Sequence, residues 1–133
     1  MPSQNVELVT RAYEAFNREG AKGTLPFLAP DVVWDESRLP ARRPGVFHGH
    51  EGMMALDQQN SELWLDIRAD VESIVAASED KVVAYVRARG RGRFTGEEVE
   101  LRISHLWHVR AGKAVLVRLY LDRQEALEAA GSD

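Results

Sequence analysis

Val6, Val9, Tyr13 and Phe16 recur at three- and four-residue spacing, with Glu7, Arg11, Glu14 and Arg18 between them. That pattern predicts an amphipathic helix, which Ser3 or Asn5 can cap and Gly20 can end. Leu25, Phe27 and Leu28 predict a short second helix closed by Pro30. Asp31 to Glu36 carries two valines and a tryptophan and reads as a strand. Residues 37–49 hold Pro40, Pro44, Gly45, Gly49 and three arginines, which reads as a loop with a short strand at Val46–Phe47. A third helix fits His50 to Leu63, with Met53, Met54, Leu56 and Leu63 near one side. Strands follow over Leu65–Ala76, Lys81–Arg93, Glu98–Arg110 and Ala114–Leu121, with turns at Ser78-Glu79-Asp80, Thr95-Gly96 and Ala111-Gly112-Lys113. Asp122 and Glu125 have capping-box spacing for a terminal helix that Gly131 ends. Helices first and an antiparallel meander afterwards predict an α+β fold, with helices on one face of a curved sheet.

Strand parity separates an inner from an outer face. Val99, Leu101, Ile103, His105, Trp107 and Val109 share a side that is apolar except for one imidazole. Glu98, Glu100, Arg102, Ser104, Leu106, His108 and Arg110 take the other. The same parity puts Val82, Ala84, Val86 and Ala88 inside, with Val115, Val117, Leu119 and Leu121. It puts Arg87, Arg89, Arg91 and Arg93 outside. The small Ala84 and Ala88 either admit a helix closely or leave a cavity, and next to a concave sheet we expect the cavity. Its expected walls are Trp34, Met53, Ala84, Val86, Trp107, Val117 and Leu119.

Composition narrows the chemistry. The chain has 133 residues, no cysteine and a net charge of −4. One domain over 1–133 is therefore the expectation, without a disulfide framework, a thiol nucleophile or a thiolate metal site. The acidic balance offers no general field for nucleic acid. No basic run followed by an apolar stretch marks the N-terminus as a leader, and no apolar run approaches the ~20 residues of a membrane span. A cytoplasmic protein with neither nucleic-acid nor membrane partners is the resulting expectation.

If Trp34 points inward, Glu36 does too, and a carboxylate at the rim of an apolar pocket has a raised pKa and can serve as a general base. The alternative is a rim carboxylate paired with Arg38, Arg42 or Arg43. His105 reads as a proton shuttle or hydrogen-bond donor, or else as a satisfied core histidine. Tyr13, on the buried stripe of the first helix, is a third candidate catalytic group, and core packing is its alternative, as it is for Trp34, Trp64 and Trp107. His48 and His50 lie two apart, with Glu51 adjacent to His50, but the local pattern lacks a further convergent ligand, so no metal site is expected. The row Arg87, Arg89, Arg91, Arg93 has Glu97, Glu98 and Glu100 across the hairpin to neutralise it. Gly90-Arg91-Gly92 reads as a bulge.

Arg11-Ala12-Tyr13-Glu14-Ala15-Phe16-Asn17, Leu28-Ala29-Pro30-Asp31-Val32-Val33-Trp34 and Phe47-His48-Gly49-His50-Glu51-Gly52 resemble the SnoaL-like proteins. So do His105-Leu106-Trp107, Gly112-Lys113 and Leu119-Tyr120-Leu121-Asp122. These proteins belong to the nuclear-transport-factor-2-like superfamily, which also contains ketosteroid isomerase, scytalone dehydratase and limonene epoxide hydrolase. The resemblance implies a cone-shaped α+β barrel, with three N-terminal helices on the concave face of the sheet, a short C-terminal helix and a pocket between helices and sheet. It also implies a homodimer through the outer face of the sheet. Aligned without gaps on Asn17 and Ala29-Pro30-Asp31, Glu36 takes the place of the catalytic base of ketosteroid isomerase. Aligned with one gap on Gly112-Lys113, His105 takes the place of its protonated oxyanion-hole aspartate. The oxyanion tyrosine falls on Ala12, one place before Tyr13, and Leu119 stands where limonene epoxide hydrolase has an acid.

Residues and resemblance together point to a small-molecule pocket protein. Its expected activity is cofactor-independent acid–base catalysis by Glu36, His105 and Tyr13. Isomerisation, dehydration or cyclisation of an apolar cyclic or polyketide-like substrate fits this machinery. The rival is a non-catalytic ligand-binding or dimerisation module.

Overall fold

The computed structural model describes residues 2–39 and 45–131. Helix α1 (Pro2–Glu19) lays Val9, Ala12 and Tyr13 into the core. It begins ahead of the expected caps, so Ser3 and Asn5 are helical, and the Asn5 amide instead donates to the Glu79 carbonyl at 2.7 Å. Gly20 ends α1 at φ 84°, where a side chain would be strained, and donates to the Phe16 carbonyl. The second helical segment is a 3-10 helix (Ala21–Phe27) containing Pro26, while Leu28 and Pro30 belong to strand β1 (Leu28–Asp35). Proline is tolerated there because a strand end can spare a ladder hydrogen bond. Strand β2 (Val46–His48) and helix α2 (Gly49–Leu63) follow.

Strands β3 (Trp64–Ala76), β4 (Lys81–Gly92), β5 (Glu98–Arg110) and β6 (Lys113–Tyr120) complete an open six-stranded sheet in the order β2-β1-β6-β5-β4-β3. The meander is antiparallel as expected, but the sheet is mixed, because β1 runs parallel to β6. Nor is it a closed barrel, since β2 and β3 are its edges.

The inner core joins Val9, Val32, Trp34, Met53, Val86 and Trp107 under α1 and α2. Helix α3 (Arg123–Ala130), capped by the Asp122 carboxylate on the Gln124 amide, packs on the opposite face. There Ala126 and Ala130 cover Val83, Tyr85, Leu106 and Tyr120 in a second, smaller core. Leu106, read as outward from parity, is thus outward and still buried.

Parity fails where the ladder slips. A register shift between His108 and Val109 puts Ala114 in the core in place of Val115, and Leu121 is left 44% exposed beyond the end of β6. The bulge expected around Gly90 lies in the neighbouring strand: β4 and β5 pair without interruption from Lys81 to Arg91, and β3 has an extra residue opposite Gly90, between Leu65 and Arg68. The missing side chain of Gly90 makes room for Trp64, whose ring lies 3.2 Å from where a Cβ would stand.

Candidate active site

Between α1, the C-terminal half of α2 and the inner face of the sheet lies a cavity of about 220 Å³. Its deep end is an aromatic cluster. The edge of Trp34 meets Trp107 at 5.8 Å and His105 at 6.1 Å between ring centroids, and Tyr13 meets Trp107 at 5.5 Å. Such perpendicular contacts suit the ring quadrupoles and rigidify the wall.

Within this cluster the Trp107 indole N–H donates to the Tyr13 hydroxyl at 2.9 Å, and the hydroxyl lies 2.5 Å from His105 Nδ1. Indole can only donate, so the phenol spends an acceptor site on it and is free to donate its own proton onward. In the tautomer in which the phenol donates to His105 Nδ1, the neutral ring carries its proton on Nε2. The ring is neutral because burial drives the His105 pKa down to about 3. Burial likewise pushes the Tyr13 phenol well above its ordinary value, against a smaller opposing effect of the Trp107 hydrogen bond. His105 Nε2 is buried and has no partner among the described residues. In that tautomer the site holds an uncharged N–H donor that has no partner among the described residues.

Glu36 stands just past the end of β1. Its backbone N–H is tied to the Gly45 carbonyl, and a Cβ on Gly45 would come within 2.8 Å of the Glu36 carbonyl carbon, so glycine permits this close approach. The Trp34 indole N–H donates to Glu36 Oε2 at 2.8 Å. Burial raises the Glu36 pKa, and the Trp34 hydrogen bond offsets part of the rise. Arg38, one of the cations expected to pair with it, reaches Asp35 and Glu125 instead, both at 3.5 Å. Arg42 and Arg43 lie outside the described residues. Among the described residues Glu36 has no ion-pair partner.

The cavity is lined by Tyr13, Trp34, Glu36, Val86, His105, Trp107 and Leu119 from the expected set. Met53, Ala84 and Val117 do not line it: each is 0% exposed and locked in the core. Parity chose their side correctly, but depth along the sheet decides which residues meet the open space. On β4 that space begins at Val86 and continues past Ala88 to Gly90.

Arg68 and Arg89 belong to strand stretches that border the cavity, but both pair with Asp70, opposite Arg87, on the outer side expected for Arg89. On β3 a register shift between Leu65 and Arg68, where Asp66 takes φ 54°, precedes the regular alternation in which Ala69 faces the core. Val99 and Leu101, 43% and 37% exposed, also line the cavity, so its walls reach the surface at this end. Asn17 had no assigned role. Its carboxamide donates to the Ala69 carbonyl at 2.9 Å and accepts from the Ala69 N–H at 2.8 Å, which clamps α1 to β3 across the cavity wall. A polar residue four places after Tyr13, on the side that faces the sheet, was the available signal. His50 is bonded to the Leu28 carbonyl at 3.0 Å, and no three His, Cys, Asp or Glu side chains converge as metal ligands among the described residues. Among those residues no helix is long and apolar enough to cross a membrane.

The SnoaL-like domain family matches residues 9–117. No curated protein matches the chain. Among solved structures, an NTF2-like protein of unknown function from Burkholderia pseudomallei is 26% identical with a TM-score of 0.77, covering 97% of this chain and 98% of its own. A candidate polyketide cyclase from Xanthomonas campestris pv. campestris is 25% identical with a TM-score of 0.76, covering 96% and 97%. TerC, co-crystallised with polyporic acid, shares the fold at 23% identity and a TM-score of 0.77, covering 97% and 99%.

Proposed function

The chain belongs to the SnoaL-like domain family, and from that premise we propose that it binds an apolar cyclic, polyketide-like carbonyl compound and moves a proton on it without a cofactor. Glu36 is the base, His105 the oxyanion donor, and Tyr13 the residue that orients His105. One observation carries this reading: a Glu36 carboxylate with no ion-pair partner and a His105 Nε2 with no hydrogen-bond partner among the described residues belong to the walls of one mostly apolar cavity.

The Glu36 carboxylate takes a proton from the carbon next to the substrate carbonyl, and the electron pair moves onto the carbonyl oxygen. The neutral His105 N–H donates to that oxygen as its charge grows. A neutral imidazole suits this step because its N–H stays in place and gives up no proton to the enolate. In a β,γ-unsaturated ketone the resulting dienolate recovers the proton from Glu36 at the γ-carbon, which is isomerisation; alternatively the enolate carbon attacks an internal carbonyl and Glu36 returns its proton to the alkoxide so formed, which is cyclisation. A raised carboxylate pKa makes Glu36 a better base near neutral pH. Desolvation inside the aromatic cluster strengthens both interactions. A polyketide-cyclase candidate and a protein co-crystallised with polyporic acid on the same fold support a ring-bearing ligand.

The test is deuterium exchange at the carbon next to the carbonyl of 2-tetralone, followed by NMR in heavy water. The wild-type protein is expected to accelerate exchange over buffer, and Glu36→Gln to lower the acceleration by roughly 10²–10⁴-fold, the usual worth of a positioned base. Binding of the ketone without accelerated exchange would leave a ligand-binding protein and remove the base.

A further inference from the structure

The proposed base stands where the sheet ends. Trp34 pairs with Phe47 of β2 on one side and with Val117 of β6 on the other, so the sheet holds its backbone from both edges. Glu36 lies two residues on, past the end of β1, in a turn where the Leu39 N–H returns to the Glu36 carbonyl at 3.0 Å. A glutamate side chain rotates about several single bonds, and a carboxylate free to do so is a poorly aimed base.

Trp34 and Glu36 share the inner side of the chain, and the indole N–H donates to Oε2 at 2.8 Å. The indole cannot swing to follow a moving carboxylate. Its ring packs edge-to-face on Trp107 at 5.8 Å and 88°, and on His105 at 6.1 Å and 80°. No charge competes for the carboxylate among the described residues. On the cavity side its titratable neighbours are Tyr13 and His105, both uncharged. On the outer side Arg118 is taken by Asp35, and Arg38 by Asp35 and Glu125. The two indoles thus divide the site between them. Trp107 gives its one N–H to the Tyr13 hydroxyl that meets His105, and Trp34 gives its one N–H to Glu36.

The geometry points to Trp34 as the positioning residue of the base. It holds Oε2 and leaves Oε1 to take the proton from the substrate and to return it, at a fixed place relative to the His105 ring on which the same indole packs. The contact also lowers basicity, because a donor on a carboxylate favours its charged form. Aim and basicity therefore pull in opposite directions at this one hydrogen bond, and removing it separates them. The inference deepens the acid–base reading above and rests on it.

The test replaces Trp34 by 3-benzothienylalanine, which keeps the shape of the indole with sulfur in place of the N–H, and in a second variant by phenylalanine (Trp34→Phe). Three quantities are read: 2-tetralone affinity from the fluorescence of Trp64 and Trp107, the Glu36 titration by carbon NMR of isotope-labelled glutamate, and deuterium exchange of 2-tetralone. The Glu36 signal is assigned by its loss in Glu36→Gln, and exchange is compared at a pH above the Glu36 midpoint of every variant. In the isosteric variant affinity is expected to be unchanged, Glu36 to titrate at higher pH, and exchange to slow by roughly 10–10²-fold, the order of loss that a small misplacement of a reacting group brings. A stronger base that works more slowly is the signature of lost aim. Exchange that speeds up with the rise in basicity would overturn the positioning role and leave Trp34 to tune Glu36 alone. An unmoved titration with unmoved exchange would leave Trp34 a cavity wall. No acceleration by the wild-type protein would remove the base itself, and this role with it. The isosteric variant keeps the test readable if Trp34→Phe disturbs the aromatic cluster.

Discussion

Asp35 turns to the outer face of the sheet, where it accepts from Arg118 at 3.0 Å and from the Ser37 backbone at 2.9 Å. Glu36, the next residue, turns into the cavity, and its hydrogen-bond partner among the described residues is the Trp34 indole. Burial acts to raise both carboxylates. At Asp35 the Ser37 hydrogen bonds and the Arg118 charge outweigh burial and hold the pKa below the ordinary value. At Glu36 one neutral donor does not, and the pKa is raised. Two consecutive acids are thus driven apart by what the two faces present to them: the outer face uses its acid to hold the fold, and the inner face leaves its acid available.

The largest expected effect separates the two by sign. Asp35→Asn keeps an acceptor for Ser37 but loses the charge that faces Arg118, and is expected to cost about 2 kcal/mol at neutral pH. Glu36→Gln keeps the acceptor for Trp34 and removes a charge from an apolar wall, so it is expected to raise the melting temperature at pH 7. A folded pKa raised above the unfolded value means that the Glu36 contribution is present below about pH 4.5 and lost as pH rises through the folded value. The advantage of the Gln variant is therefore expected to vanish below pH 4.5. The Asp35 contribution runs the other way, present above about pH 3.8 and lost as pH falls through its depressed folded value. Urea denaturation of both variants across this range checks the pair. Destabilisation by both substitutions at pH 7 would break the contrast.

His105 gives the next effect. The unfolded state binds its proton near pH 6.5, whereas the folded state resists it down to about pH 3. Stability from His105 is present above pH 6.5 and lost as pH falls, at ~1.4 kcal/mol per pH unit through that window. His105→Asn is expected to be less stable at pH 7, and its stability curve between pH 6.5 and 4 is expected to be flatter than wild type by that slope. Parallel curves would mean that the imidazole is solvated, which would remove the neutral donor from the proposed site.

Local periodicity carried most of the fold into view, because α1, α2, β3, β4 and β5 each hold a long run of one period. What escaped it is non-local. The parallel pairing of Val33 with Leu116 joins positions far apart in the chain, and no local pattern distinguishes it from an antiparallel edge. Helix α3 repeats small residues, Ala126 and Ala130, and nothing in that spacing says which face of the sheet they cover. The candidate groups Tyr13, Glu36 and His105 were visible because each is polar on an otherwise apolar side. Their mutual contacts through Trp34 and Trp107 were not, since side-chain reach across the core follows from packing.

The smallest expected effect divides two alanines that look alike in the sequence. Ala84 and Ala88 lie on the same side of β4, and either could have bordered a cavity. Ala84 is 0% exposed, opposite His105 on one side and Ile74 on the other, so added methyls have no space. Ala88 faces the cavity, with Leu101 opposite it on β5. Ala84→Val is therefore expected to cost about 1 kcal/mol or somewhat more through overpacking. Ala88→Val is expected to change stability by less than about 0.5 kcal/mol while weakening ring-ligand binding, because its methyls project into the space that the ligand would fill. Denaturant melts and a 2-tetralone titration of the two variants measure both halves. A stability loss at position 88 to match that at 84 would mean that the space beside β4 closes in solution, and that Glu36 and His105 face each other across packed side chains with no room for a substrate between them.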